Sequence, residues 1–342
     1  MAVAVVAALL SGCGDGGLAR SSAAAADPGP ARLVRLPDDR VINLRCSGHG
    51  APTVLFEAGW GSGGAAWGKV APTVSKTTRA CAYDRAGYEY SDPGPLPRDG
   101  ASIARDLDLA LQAAGEKGPF ILVGHSAGGL YARLFAARRP QEVKGLVLLD
   151  PTVERRSPQS LGDGLDGIRR RVTRCLEASQ AQPKRPFEDP QWSGCVSART
   201  SPHGLEIALR PDIWRNQLSE LDEIFGRTSD QAIRLNDLLN YIPVYVITAS
   251  DTAASAPKVG YGNPQSIWEL QHQRLAFSFL HGWQRTVLSS HLMMNDRPEV
   301  VIDAVLAMVQ AARANTPPEA LAPSETTTTT DQPFGAAPPV TK

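Results

Sequence analysis

The sequence predicts an α/β fold, a mostly parallel sheet wrapped by helices, on three observations. Strand-like and helical runs alternate from Ala31 onward, and such alternation builds a parallel sheet with helices on its faces. Several strand-like runs, such as Thr53–Glu57 and Val143–Leu149, are rich in Val, Ile and Leu without alternation. Strands covered on both faces read that way. The third observation is a turn: the apolar run Phe120–Val123 ends in Gly124-His125-Ser126-Ala127-Gly128 and passes at once into the helical pattern Leu130-Tyr131-Ala132-Arg133-Leu134-Phe135.

Taken in order, the predicted strands are Arg32–Leu36, Val41–Cys46, Thr53–Glu57, Thr78–Tyr83, Phe120–Val123, Val143–Leu149 and Val244–Thr248. A helix over Ser102–Leu111 places Ile103, Leu107 and Leu111 on one face, with Ser102 as its cap and Gly115 as its stop. Residues 152–241 break the rhythm: no clear strand, several Pro and Gly, and helical pieces at Ile168–Ala178 and Ile213–Phe225. They read as a helical insertion between two core strands. The predicted organisation is a signal segment over 1–12, a flexible tether over 13–30, one α/β domain over 31–313, and a Pro/Thr-rich disordered tail over 314–342.

Composition narrows the function. The 342 residues carry 35 Lys+Arg and 35 Asp+Glu, so no basic excess recommends nucleic acid as a partner. The apolar run Ala2–Leu10 is too short to span a bilayer and reads as an export signal. Its ending, Leu10-Ser11-Gly12-Cys13, resembles the bacterial lipobox, which implies a lipidated Cys13 as mature N-terminus and attachment to the outer face of the cytoplasmic membrane, or secretion. Cys46, Cys81, Cys175 and Cys195 then remain. An even number in an exported chain predicts two disulfides, with three connectivities open. Cys175 and Cys195 share one short segment and could staple it. No cysteine spacing and no cluster of His and carboxylates suggests a metal, and no cofactor is called for.

The chemistry starts at Ser126. A strand turning sharply into a helix presents the Ser126 hydroxyl at the tip of the turn, and Gly124 and Gly128 permit the close approach. A serine hydroxyl needs a base to take its proton, and an acid to orient that base. Together with the strand order and the insertion, these features resemble the α/β-hydrolase superfamily over Arg32–Ala312, and within it the secreted serine hydrolase and esterase branch with a helical lid over 152–241 after strand six. The resemblance implies an eight-stranded sheet in which the second and fourth strands are neighbours, so that Cys46 and Cys81 can pair.

It also implies the partners of Ser126. The base is His291, in the loop between a strand and a final helix opened by Asp296 and Pro298. The acid is Asp150, after Leu148-Leu149, with Asp251 as the alternative after Ile247-Thr248. The oxyanion donors are the N–H groups of Ala127 and of Trp60, in the loop Ala58-Gly59-Trp60-Gly61. Asp84 and Arg85, in Tyr83-Asp84-Arg85-Ala86-Gly87, hold loop geometry near the site, and His125 packs beside the nucleophile. The expected activity is hydrolysis of a small-molecule carboxylic ester through an acyl-enzyme by a monomer. Amidase, thioesterase, lactonase or acyltransferase chemistry on the same residues is the alternative, as is a non-catalytic ligand-binding lipoprotein.

Overall fold

A computed structural model describes residues 29–154, 162–197, 200–233, 235–260 and 265–318. The predicted signal segment, Cys13 and nearly all of the tether and tail lie outside the described residues. Eight strands form the main sheet: β1 (Arg32–Arg35), β2 (Val41–Ser47), β3 (Thr53–Glu57), β4 (Ala80–Tyr83), β5 (Phe120–His125), β6 (Val143–Leu149), β7 (Val244–Ala249) and β8 (Gly282–Val287). Their order across the sheet is β1-β2-β4-β3-β5-β6-β7-β8. Only β2 runs against its neighbours; every other adjacent pair is parallel. This is the α/β-hydrolase fold.

The central strands β3 to β7 are buried along nearly their whole length, which explains their apolar runs. Helices α1 (Gly100–Ala114), α2 (Gly128–Arg138) and α5 (Ile267–Phe277) supply one face, where Leu107, Leu111, Phe135 and Leu275 pack on Leu122 and Leu146. The opposite face is covered by α6 (Pro298–Ala314), whose Val301, Val305 and Met308 pack on Ile121, Val123 and Val147. Ser102 does not cap α1. The cap lies three residues earlier, at Asp99, whose carboxylate accepts the Ser102 N–H at 2.9 Å. Gly115 ends it in the left-handed region at φ 75°. Asp296 does not open α6 either: Arg297 holds that position and Asp296 turns back to accept the Ser290 N–H at 3.1 Å.

Between β6 and β7 the described chain is helical, with α3 (Gly162–Gln180) and α4 (Pro211–Ile224) the longest pieces. Ile168, Val172, Trp214 and Leu221 from this insertion pack with Trp60, Ala127, Leu130 and Tyr131 of the domain. Both disulfides are formed. Cys46 and Cys81 sit directly opposite each other on β2 and β4, and Cys175 is tied to Cys195 within the insertion.

Candidate active site

Ser126 stands between β5 and α2 with φ at +53°, a conformation that costs an L-residue energy and persists only where the surroundings enforce it. Here they do. The Ser126 N–H donates to the Leu149 carbonyl at 3.0 Å, and the Ser126 carbonyl accepts from the Thr152 N–H at 2.9 Å. A Cβ on Gly124 would lie 2.6 Å from the Gly128 carbonyl oxygen, and one on Gly128 would lie 2.4 Å from that of Glu57. Only glycine lets the strand, the helix and the β3 loop meet so closely.

The end of β6 that braces Ser126 also supplies Asp150. Its side chain is fully buried and its own φ is +41°. One carboxylate oxygen accepts from His291 Nδ1 at 2.6 Å. The other accepts from the Ala249 N–H at 3.0 Å and from Trp268 Nε1 at 2.8 Å. Burial pushes this carboxyl up, but the bond to His291 and the charges and donors around it outweigh burial and hold it at about 2. Because Nδ1 faces a carboxylate it carries the proton, which leaves Nε2 of His291 as an acceptor. Asp251 is exposed, and its carboxylate accepts from Ser250 Oγ at 3.2 Å rather than meeting His291.

Two further histidines hold this arrangement. His125 Nε2 lies 2.8 Å from the His291 carbonyl oxygen; a carbonyl only accepts, so Nε2 carries the proton. Burial, helped by the neighbouring His291, takes the His125 imidazole down to about 3, and it stays neutral. His272 is equally buried, and burial lowers its pKa too. It donates from Nε2 to the Pro151 carbonyl at 2.8 Å, so the Thr248 hydroxyl, 2.8 Å from Nδ1, donates in turn. The His125 and His291 rings stand 4.6 Å apart, which sets His291 beside the residue preceding Ser126. Among the described residues no hydrogen bond joins the Ser126 hydroxyl to His291; such bonds are often loose before substrate arrives.

The loop after β3 flanks Ser126 on its other side. A Cβ on Gly59 would meet His125 Nδ1 at 2.9 Å and Ser126 Cβ at 3.1 Å. Neither the Trp60 nor the Ala127 N–H donates to another described residue. Asp84 pins the glycine run by accepting the Gly64 N–H at 2.7 Å, and it accepts Asn43 Nδ2 at 2.7 Å. Arg85 is buried beneath the same loop. Its guanidinium donates to the carbonyls of Ala58 and Gly59 at 2.6 and 2.8 Å, to Glu57 at 3.0 Å and to Glu220 of α4 at 3.0 Å.

Sequence reading passed over Glu57, Glu220, Trp268 and the bracing role of His272. Two signals were present. An acid closing the apolar run Thr53-Val54-Leu55-Phe56-Glu57 must find a partner when buried. Glu220 lies on the same helical face as Ile213, Gln217, Leu221 and Ile224, all buried. As for metals, Cys46, Cys81 and Glu116 bring ligand atoms within 4.8 Å of one another. The disulfide occupies both sulfurs, so they are not thiolate ligands.

Comparison with known proteins agrees with this frame. Residues 52–187 match the family model described as alpha/beta hydrolase fold. Among solved structures, a thermophilic esterase from Thermogutta terrifontis superposes with a TM-score of 0.58 at 19% identity, over 82% of this chain and 99% of that one. The epoxide hydrolase CorEH does so with a TM-score of 0.58 at 16% identity, over 80% of this chain and 96% of that one. Among curated proteins, a vacuolar membrane protein of Saccharomyces cerevisiae is 36% identical over 128 residues, 34% of this chain and 20% of that protein. RutD of Klebsiella pneumoniae, a carbamate hydrolase by name, is 40% identical over 103 residues, 30% of this chain and 38% of that protein. The shared segment spans only 15–20% of the length of the first such relatives. Fold and comparisons together define the class: a chain of the α/β-hydrolase fold.

Proposed function

We propose that the protein is a serine hydrolase that cleaves a small carboxylic ester through an acyl-enzyme on Ser126. The observation that carries this reading is the buried Asp150–His291 pair, joined at 2.6 Å, with a serine held at positive φ at the end of the strand next to the one that precedes Asp150. In the first step the Ser126 hydroxyl gives its proton to His291 Nε2 as Oγ bonds to the ester carbonyl carbon. The carbonyl oxygen becomes an oxyanion facing the N–H groups of Ala127 and Trp60. The intermediate collapses, and His291 passes its proton to the departing alkoxide. Water then repeats the sequence on the acyl-enzyme and releases the acid. Asp150, ionised at every working pH, keeps the imidazole in the required tautomer and stabilises the imidazolium.

Epoxide hydrolases and haloalkane dehalogenases on this fold use a carboxylate nucleophile, and this chain has a serine in that place. The helical insertion serves as a lid over Ser126 and sets substrate choice. Two disulfides support export to an oxidising compartment, and Cys13 is the site of lipid attachment in that reading. No helix among the described residues is long and apolar enough to cross a membrane. The test is labelling with a fluorophosphonate, followed by peptide mapping and an ester panel of graded acyl length. Modification of Ser126 with parallel loss of ester turnover is expected; folded protein with Ser126 unmodified overturns the reading.

A further inference from the structure

We propose that Arg85 is the positioning residue for the oxyanion donor at Trp60, and that Glu220, reaching in from helix α4 of the insertion, fixes Arg85 in that role. In a trans peptide the carbonyl and the following N–H point in opposite directions. Arg85 holds the Gly59 carbonyl at 2.8 Å and the Ala58 carbonyl at 2.6 Å, so the Trp60 and Gly59 N–H groups face away from the guanidinium. The same loop abuts the nucleophile: a Cβ built on Gly59 would lie 2.9 Å from His125 Nδ1 and 3.1 Å from Ser126 Cβ. Arg85 thus decides which edge of the loop the nucleophile meets.

Arg85 is itself placed from two sides. Glu57, the last residue of β3, takes one Nη at 3.0 Å, and Glu220 takes the other at 3.0 Å. The Tyr88 ring lies under the guanidinium at 4.7 Å, and the Tyr131 hydroxyl donates to Glu220 at 3.1 Å. Helix α4 reaches the donor residue a second time, since Trp60 Nε1 donates to the Gln217 carbonyl at 3.0 Å. Main chain and side chain of Trp60 are therefore both referenced to α4. A wholly buried arrangement of one cation and two carboxylates is a poor source of stability. What it supplies here is a fixed direction for two carbonyls. Because one link comes from the insertion, displacing α4 would release the donor as well as open the site.

The proposal shares its kinetic readout with the ester-hydrolase reading but not its structural one. Protein labelled with ¹⁵N-tryptophan gives six backbone amide signals, one of them from Trp60. Glu220→Gln keeps an acceptor for Arg85 and removes the charge. It should shift or broaden the Trp60 amide, lower kcat by about 10–100-fold with KM little changed, and weaken a boronic acid mimic of the tetrahedral intermediate by a similar factor. Asp222→Asn, on the same helix but paired with Arg169 at the surface, should change none of these. A Trp60 amide and a kcat both unmoved in folded Glu220→Gln overturn the proposal and leave the hydrolase reading standing. Wild-type protein that neither turns over esters nor takes fluorophosphonate overturns the hydrolase reading instead, and the Trp60 signal still decides the positioning.

Discussion

Asp150 and Glu57 are both buried carboxylates at the carboxyl ends of parallel strands, β6 and β3, on either side of the strand that carries Ser126. Burial pushes both upward, yet Asp150 ends at about 2 and Glu57 at about 7. The difference lies in what surrounds them. Asp150 accepts from His291, Trp268 and the Ala249 N–H, and the charges of His291 and His272 also hold it down. Glu57 accepts from Tyr83 at 2.5 Å and Arg85 at 3.0 Å, but shares that single cation with Glu220, whose charge works against its own. The first environment maintains an anion beside an imidazole, as the proposed role of His291 as base requires. The second maintains geometry, and its charge is negotiable.

The largest effect that separates the two sides should come from the residue between them. Ser126→Ala is expected to lower ester kcat by about 10⁵-fold or more while leaving the thermal midpoint nearly unchanged, measured by steady-state kinetics and calorimetry. Asp150→Asn should cost about 10⁴-fold in kcat, since an amide facing Nδ1 favours the wrong tautomer. Asp251→Asn should stay within about twofold, because that side chain is exposed and remote from the imidazole in bonding. The reverse order would move the orienting role to Asp251.

Stability should respond to pH with opposite signs at the two carboxylates. Asp150 lies below its ordinary 3.8, so its contribution is present above that value and lost as pH falls through about 2. Glu57 lies above its ordinary 4.5, so its contribution is present below that value and lost as pH rises through about 7. Urea unfolding across pH should therefore show a decline on the order of 3 kcal/mol toward neutrality that Glu57→Gln flattens. Asp150→Asn should flatten only the acid limb. A smaller effect is expected from Trp268→Phe, which removes one donor from Asp150 and should lower kcat about 10-fold with KM little changed.

The two sides were also unequally legible. The strands and the Ser126 turn are local patterns, carried by neighbouring residues whose periodicity follows from burial. The choice between Asp150 and Asp251 could not be local, because both follow an apolar strand and only tertiary donors distinguish them. Those donors, Ala249 and Trp268, lie 99 and 118 residues from Asp150. The Arg85 cluster was harder still. Glu220 is 135 residues from Arg85, in an insertion whose helices could be read but whose docking could not. Caps failed for a similar reason: Asp99 and Ser102 are both competent cap residues, and the first turn of α1 is fixed by where the Asp99 carboxylate finds an N–H.

Ester cleavage as proposed passes through a covalent acyl intermediate on Ser126. Intact-protein mass spectrometry within milliseconds of mixing with an activated ester tests it most directly. A transient mass increase equal to one acyl group is expected, mapped to the peptide containing Ser126, prolonged in the Asp150→Asn variant and absent in Ser126→Ala. Ester turnover with no acyl group ever found on Ser126, and no loss of that turnover in Ser126→Ala, would contradict it.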